Sequence, residues 1–129
     1  EVAHLTPFSK TLETLRRNRD LSQTDLASMV GVRANYISTL ENSRKLPSEA
    51  LLEKIIDCLR LNQNDTERLK NDLELSRFSL RAPNNASREE FELLYMMKDY
   101  VGNLTSSQIQ LMKMALKIED EIKSERGIL

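Results

Sequence analysis

The sequence predicts an all-α protein, with five helices before residue 76 and a helical hairpin after residue 87. Apolar residues recur at three- and four-residue spacings, and β-branched and aromatic residues never alternate over a strand-length run. Only three Gly and three Pro interrupt 129 residues. Hydrophobic residues at 40% and charged residues at 30% form an ordinary globular balance, enough to bury a core.

The first helix is predicted from Pro7 to about Asn18, because Pro loses nothing at a helix start, where its missing N–H has no partner anyway. Phe8, Leu12 and Leu15 share one face of it. Ser22, with Asp25 three positions on, opens a second helix that closes at Gly31. A third runs from about Arg33 to Asn42. A fourth spans Ser48 to Leu61, buried through Leu51, Leu52, Ile55, Ile56 and Leu59, and a fifth begins at Asp65 or Thr66, carrying Leu69 and Leu73. The stretch Ser76–Ser87, with Pro83 and two Asn, reads as a linker (76–87) between an N-terminal domain (1–75) and a C-terminal unit (88–129). Ser87 with Glu90 caps a helix from Phe91 to Val101. Gly102 and Asn103 break it, and Thr105 with Gln108 caps a last helix that closes near Gly127.

Several function classes are poorly served by this composition. Cys58 is the single cysteine and lies on the apolar side of the fourth helix, as a small buried hydrophobe would. With His4 the one histidine, no metal-ligand set and no Ser/His or Cys/His frame can be assembled, so neither a cofactor nor an enzyme is expected. No run of about 18 apolar residues offers a membrane span, and no secretion signal is visible. Between Pro7 and Pro47 the basic residues Lys10, Arg16, Arg17, Arg19, Arg33, Arg44 and Lys45 outnumber Glu13, Asp20, Asp25 and Glu41, so this part is basic while the whole chain carries −1.

The densest signal is QTDLASMVGVRANYISTLEN, Gln23 to Asn42. Two helices joined by a tight turn cross steeply only if particular positions are small or flexible. Ala27 lets the second helix approach, and Gly31 can take the positive φ that the turn requires. Leu26, Val30, Ile37 and Leu40 supply the apolar contact. That leaves Arg33, Ala34, Asn35, Ser38 and Thr39 on an exposed face of groups short enough to touch base edges. An Asn carboxamide at position 35 can pair bidentately with adenine.

These residues, with the flanking segments in LRRNRDLSQTDLASMVGVRANYISTLENSRKLPS, resemble the Cro/CI-type (XRE-like) helix-turn-helix regulators of bacteria and phages. The likeness runs from about Phe8 to Leu61 through the LSQ entry, the LA pair, the VGV turn, the YIS segment and the LEN closure. It implies a five-helix, lambda-repressor-like domain whose third helix enters the major groove of double-stranded DNA. It implies a phosphate contact from Gln23, beside Thr24, and others from Arg44 and Lys45 in the following loop. It also implies an ion pair between Arg16 and Glu41. Tyr36 packs, touches a phosphate or reads a base, and Arg33 reaches either a guanine or a phosphate. Arg33 stands where the family often has a Ser or Thr cap, and Ser43 where it often has Gly.

The C-terminal helices carry more apolar surface than two helices can bury on each other. Phe91, Leu94 and Tyr95 on one, and Leu111, Met112, Ala115, Ile118 and Ile122 on the other, are the expected faces of a homodimer; packing back on the N-terminal domain is the other solution. The whole reads as a cytoplasmic transcriptional regulator, nucleoid-associated when bound, a dimeric repressor of a palindromic operator. The competing expectation is an antitoxin-like interaction protein that holds a toxin or antirepressor through the same helices and autoregulates its operon.

Overall fold

The computed structural model describes residues 5–125 and Gly127. It contains α1 (Pro7–Arg17), α2 (Gln23–Val30), α3 (Ala34–Glu41), α4 (Glu49–Leu59), α5 (Gln63–Arg77), α6 (Arg88–Met97) and α7 (Ser106–Glu125). No strand occurs among the described residues. The chain divides into two compact units, Glu1–Ser79 and Leu80–Leu129. His4 lies outside the described residues.

In the first unit, each helix starts where a side chain can accept from an otherwise unpaired backbone N–H. Thr6, Ser22, Ser48 and Asn62 accept from Ser9, Asp25, Leu51 and Asp65 respectively. Such a cap stabilises a helix by about 1 kcal/mol. At α2 the box is complete, since Asp25 accepts in return from the Ser22 N–H at 2.9 Å. The helices pack as α1 on α5 and α3, and α2 on α3 and α4. Phe8, Leu12, Leu26, Ile37, Leu40, Leu52, Ile55 and Leu69 are buried between them. Each such side chain contributes about 1.5–3 kcal/mol over an exposed one. Ala27 is buried at the α2–α3 crossing, and Gly31 ends α2 with φ 86°.

Some boundaries differ from the sequence-based expectation. The fifth helix starts at Gln63, not at Asp65 or Thr66. Arg60 ends α4 in a left-handed turn, which leaves Asn62 as the first side chain able to cap. Its last turn extends past the expected linker start at 76. There Ser76 Oγ accepts from the Phe8 N–H at 3.0 Å, and Arg77 donates to Glu49 and to the Pro47 carbonyl, both at 2.8 Å. Cys58 is half-buried, with Sγ 3.3 Å from the Met29 carbonyl.

In the second unit, the Ser87–Glu90 capping box opens α6, which ends at Met97, four residues short of Val101. Tight turns carry the chain through Val101. The Thr105–Gln108 box opens α7 at 2.9 and 3.1 Å. No side chain of α6 or α7 is buried. Leu93, Met96, Met97, Tyr100, Leu111 and Met112 instead line an apolar groove of about 350 Å³ at the turn between the helices.

Candidate nucleic-acid interface

The turn and angle of the α2–α3 pair come from local chemistry. The Gly31 and Val32 N–H groups both donate to the Ala27 carbonyl at 2.9 Å, which closes α2 and aims the chain directly into α3. Ile37 and Leu40 sit at 0% exposure under α3, so its opposite side must face outward.

At the start of α3, Arg33 occupies the cap position but makes no capping hydrogen bond. A guanidinium has no acceptor to offer a backbone N–H, and the Arg33 side chain stays exposed at the helix start. Arg33 and Asn35 are exposed, whereas Ala34, Tyr36, Ser38 and Thr39 are half-buried. Tyr36 packs against the core edge, with Lys45 Nζ 5.8 Å from its ring centroid. Thr39 donates its hydroxyl proton to the Tyr36 carbonyl at 2.6 Å, which leaves it a methyl and lone pairs to offer. Thr24, Arg44 and Lys45 are exposed. Among the described residues Arg33, Arg44 and Lys45 belong to no ion pair, unlike Arg16, Arg17, Arg68, Lys70 and Arg77.

Behind this face lies a polar cluster. Arg16 donates from Nε and Nη2 to the two carboxylate oxygens of Glu41, at 2.8 and 2.9 Å, and from Nη1 to the Leu21 carbonyl at 2.6 Å. The hydrogen bond to Glu41 holds the Arg16 pKa above its ordinary value. Gln23 is half-buried and donates from Nε2 to Glu41 Oε1 at 3.0 Å.

Other structural roles were not legible beforehand. Ser43 takes φ 68° where Gly is common, and its hydroxyl compensates by accepting from the Thr6 N–H at 2.9 Å and meeting Ser9 Oγ at 3.0 Å. Arg19 donates to the Leu15 and Leu59 carbonyls at 2.9 and 2.7 Å. It therefore closes α1 and α4. The positive φ of Asp20, 55°, is the local mark of that turn, but nothing in the residue type announces it.

In the second unit, Phe91, Tyr95, Leu111, Ala115 and Ile118 are exposed, and Leu94, Met112 and Ile122 are half-buried. Among the described residues no helix is long and apolar enough to cross a membrane, and no group of three or more His, Cys, Asp or Glu is placed to hold a metal ion.

Residues 7–69 match the helix-turn-helix domain family. Over 49 residues the chain is 37% identical to the ImmF control region 10 kDa protein of Bacillus phage phi105, covering 38% of this chain. The aligned part spans about half, 54%, of that phage protein's length. The capped α2, the left-handed Gly31 and the outward α3 are the geometry such a domain needs, in keeping with the helix-turn-helix match over residues 7–69 and with the resemblance to Cro/CI-type regulators.

Proposed function

We propose that this protein is a transcriptional regulator, a dimeric repressor that reads a palindromic operator through the major groove. The observation that carries the reading is the start of α3, where Arg33 and Asn35 project from a helix whose other side is locked to the core. Arg33, Ala34, Asn35, Ser38 and Thr39 are the base-facing set, and Asn35 suits adenine. Gln23, Thr24, Tyr36, Arg44 and Lys45 are the phosphate-facing set, which supplies affinity without sequence choice. The domain assignment follows: the N-terminal unit binds DNA, and residues 88–129 hold two copies together.

Support for the dimer comes from α6 and α7. Their exposed large apolar side chains include Tyr95 at 71%, Leu111 at 65% and Leu116 at 82%. These side chains lie exposed along both helices, as the surface that a second copy would cover must, and a stable interface needs about 800 Å² per partner. Two-fold symmetry then sets the half-sites about one helical turn (~34 Å) or a multiple apart.

Selection of bound duplexes from a random DNA pool tests the reading. Enriched sites with two-fold symmetry are expected; enrichment of no sequence would defeat it. The apolar groove at the α6–α7 turn favours one further reading, an antitoxin-like protein that holds a protein partner there and autoregulates its operon. Purification from the native host separates the two: a stoichiometric second chain bound through residues 84–129 supports the latter.

A further inference from the structure

Arg16, Glu41 and Gln23 come from α1, the end of α3 and the start of α2, and one carboxylate joins them. Glu41 is 5% exposed. Arg16 has its Nε, Nη1 and Nη2 committed, to both Glu41 oxygens and to the Leu21 carbonyl, two residues before Gln23. Glu41 Oε1 then accepts a further N–H from Gln23 Nε2. A carboxylate can only accept, so it decides which way round the Gln23 carboxamide sits. The nitrogen must face Glu41. One N–H of Nε2 and the carbonyl oxygen Oε1 stay outside the cluster.

We propose that Glu41 is a positioning residue for DNA-backbone binding: by holding the Gln23 carboxamide in one orientation it leaves a single oriented N–H to donate to a phosphate oxygen. A freely rotating Gln side chain loses rotamer freedom when it binds, whereas a carboxamide already held by Glu41 has less to lose. The ion pair therefore does more than tie α1 to α3. It sets the first contact of α2 with the phosphate chain. This rests on the DNA-binding reading above.

The test separates positioning from mere stability. Arg16→Met/Glu41→Gln and Arg16→Met/Glu41→Met both remove the ion pair without leaving a buried charge alone, but only the first keeps an acceptor for Gln23. Affinity for a duplex recovered from the random pool would be measured for each full-length variant, with thermal melting as the fold control. The Gln variant is expected within about threefold of the native chain, and the Met variant up to about tenfold weaker, the scale of ordering one free side chain on binding. Gln23→Ala should weaken the native chain about tenfold and the Met variant hardly at all. Equal affinity of the two double variants, or no effect of Gln23→Ala on the native chain, overturns the proposal. The native chain supplies a further readout should the double variants not fold: duplex must shift the Gln23 side-chain amide resonances in ¹⁵N NMR, and unmoved resonances in the bound state also overturn it. Failure of the native chain to bind any duplex would instead defeat the DNA-binding reading itself.

Discussion

Arg16 and Glu41, 25 residues apart in sequence, form a two-pronged ion pair in which both side chains are nearly sealed from solvent, at 7% and 4% exposure. Breaking one partner leaves a buried charge, which costs about 3–5 kcal/mol, whereas replacing both with apolar groups of similar size costs far less. Arg16→Met alone should therefore lower unfolding stability in urea much more than Arg16→Met/Glu41→Met. Equal losses would show that the pair is not electrostatically closed.

The base-facing and phosphate-facing residues should separate by their titration behaviour. Arg33→Ala and Asn35→Ala should each cost about 1–3 kcal/mol on a selected site and relax preference at one base pair per half-site. Arg44→Ala and Lys45→Ala should weaken all duplexes alike and reduce the salt slope by about 1 each. Binding curves at several salt concentrations, on selected and scrambled duplexes, distinguish the patterns. An Asn35→Ala protein that kept the native preference would show that the reading face lies elsewhere.

The C-terminal unit should set the oligomeric state. Leu111 and Ile118 lie on one stripe of α7 and are 65% and 54% exposed, so a charge there leaves a lone chain nearly unaffected and penalises a dimer. Leu111→Asp or Ile118→Asp should convert the dimer to monomer in sedimentation velocity and weaken binding to palindromic sites. A native chain that sediments as a monomer at micromolar concentration would refute the dimer assignment.

Two capping boxes give a signed pH dependence. Asp25 and Glu90 have pKa values lowered below the ordinary carboxylate values, chiefly because each accepts the backbone N–H of its cap residue, Ser22 or Ser87. A carboxylate held lower in the folded state than in the unfolded one stabilises the fold above the unfolded value, near 4. That contribution fades as pH falls through the lowered folded value. Carbon NMR titration of the two carboxyl groups should place both midpoints below those of the unfolded chain. Midpoints at or above those values would contradict the boxes.

Gly31 offers a test of the turn. A Cβ there would meet nothing within 4 Å, so only the backbone at φ 86° resists it. Gly31→Ala should cost about 1–2 kcal/mol in unfolding stability while preserving DNA specificity. Loss of specificity without loss of stability would mean that the turn controls the angle of α3 in some further way.

Much of this domain could be read along the chain because its signals are local. A cap and its partner lie three residues apart, as in Ser22–Asp25 and Ser87–Glu90, and a buried helix face repeats every three or four. Those features, with Ala27 and Gly31 at the crossing, announced the helices, the turn and the outward α3. The fifth helix starts before the expected Asp65 or Thr66 because Asn62 is also a good cap, and the end of α4 at Arg60 puts it in place to act as one.

What the packing alone decided are the bonds that join distant positions. Gln23 finds Glu41 18 residues away, Thr6 finds Ser43 37 away, and Arg19 finds the Leu59 carbonyl 40 away. Each needs two helices at a particular crossing before donor and acceptor come within 3 Å. A polar side chain carries no mark of which distant partner it will meet, because hydrogen bonds are short and directional while sequence patterns report only periodicity and neighbours.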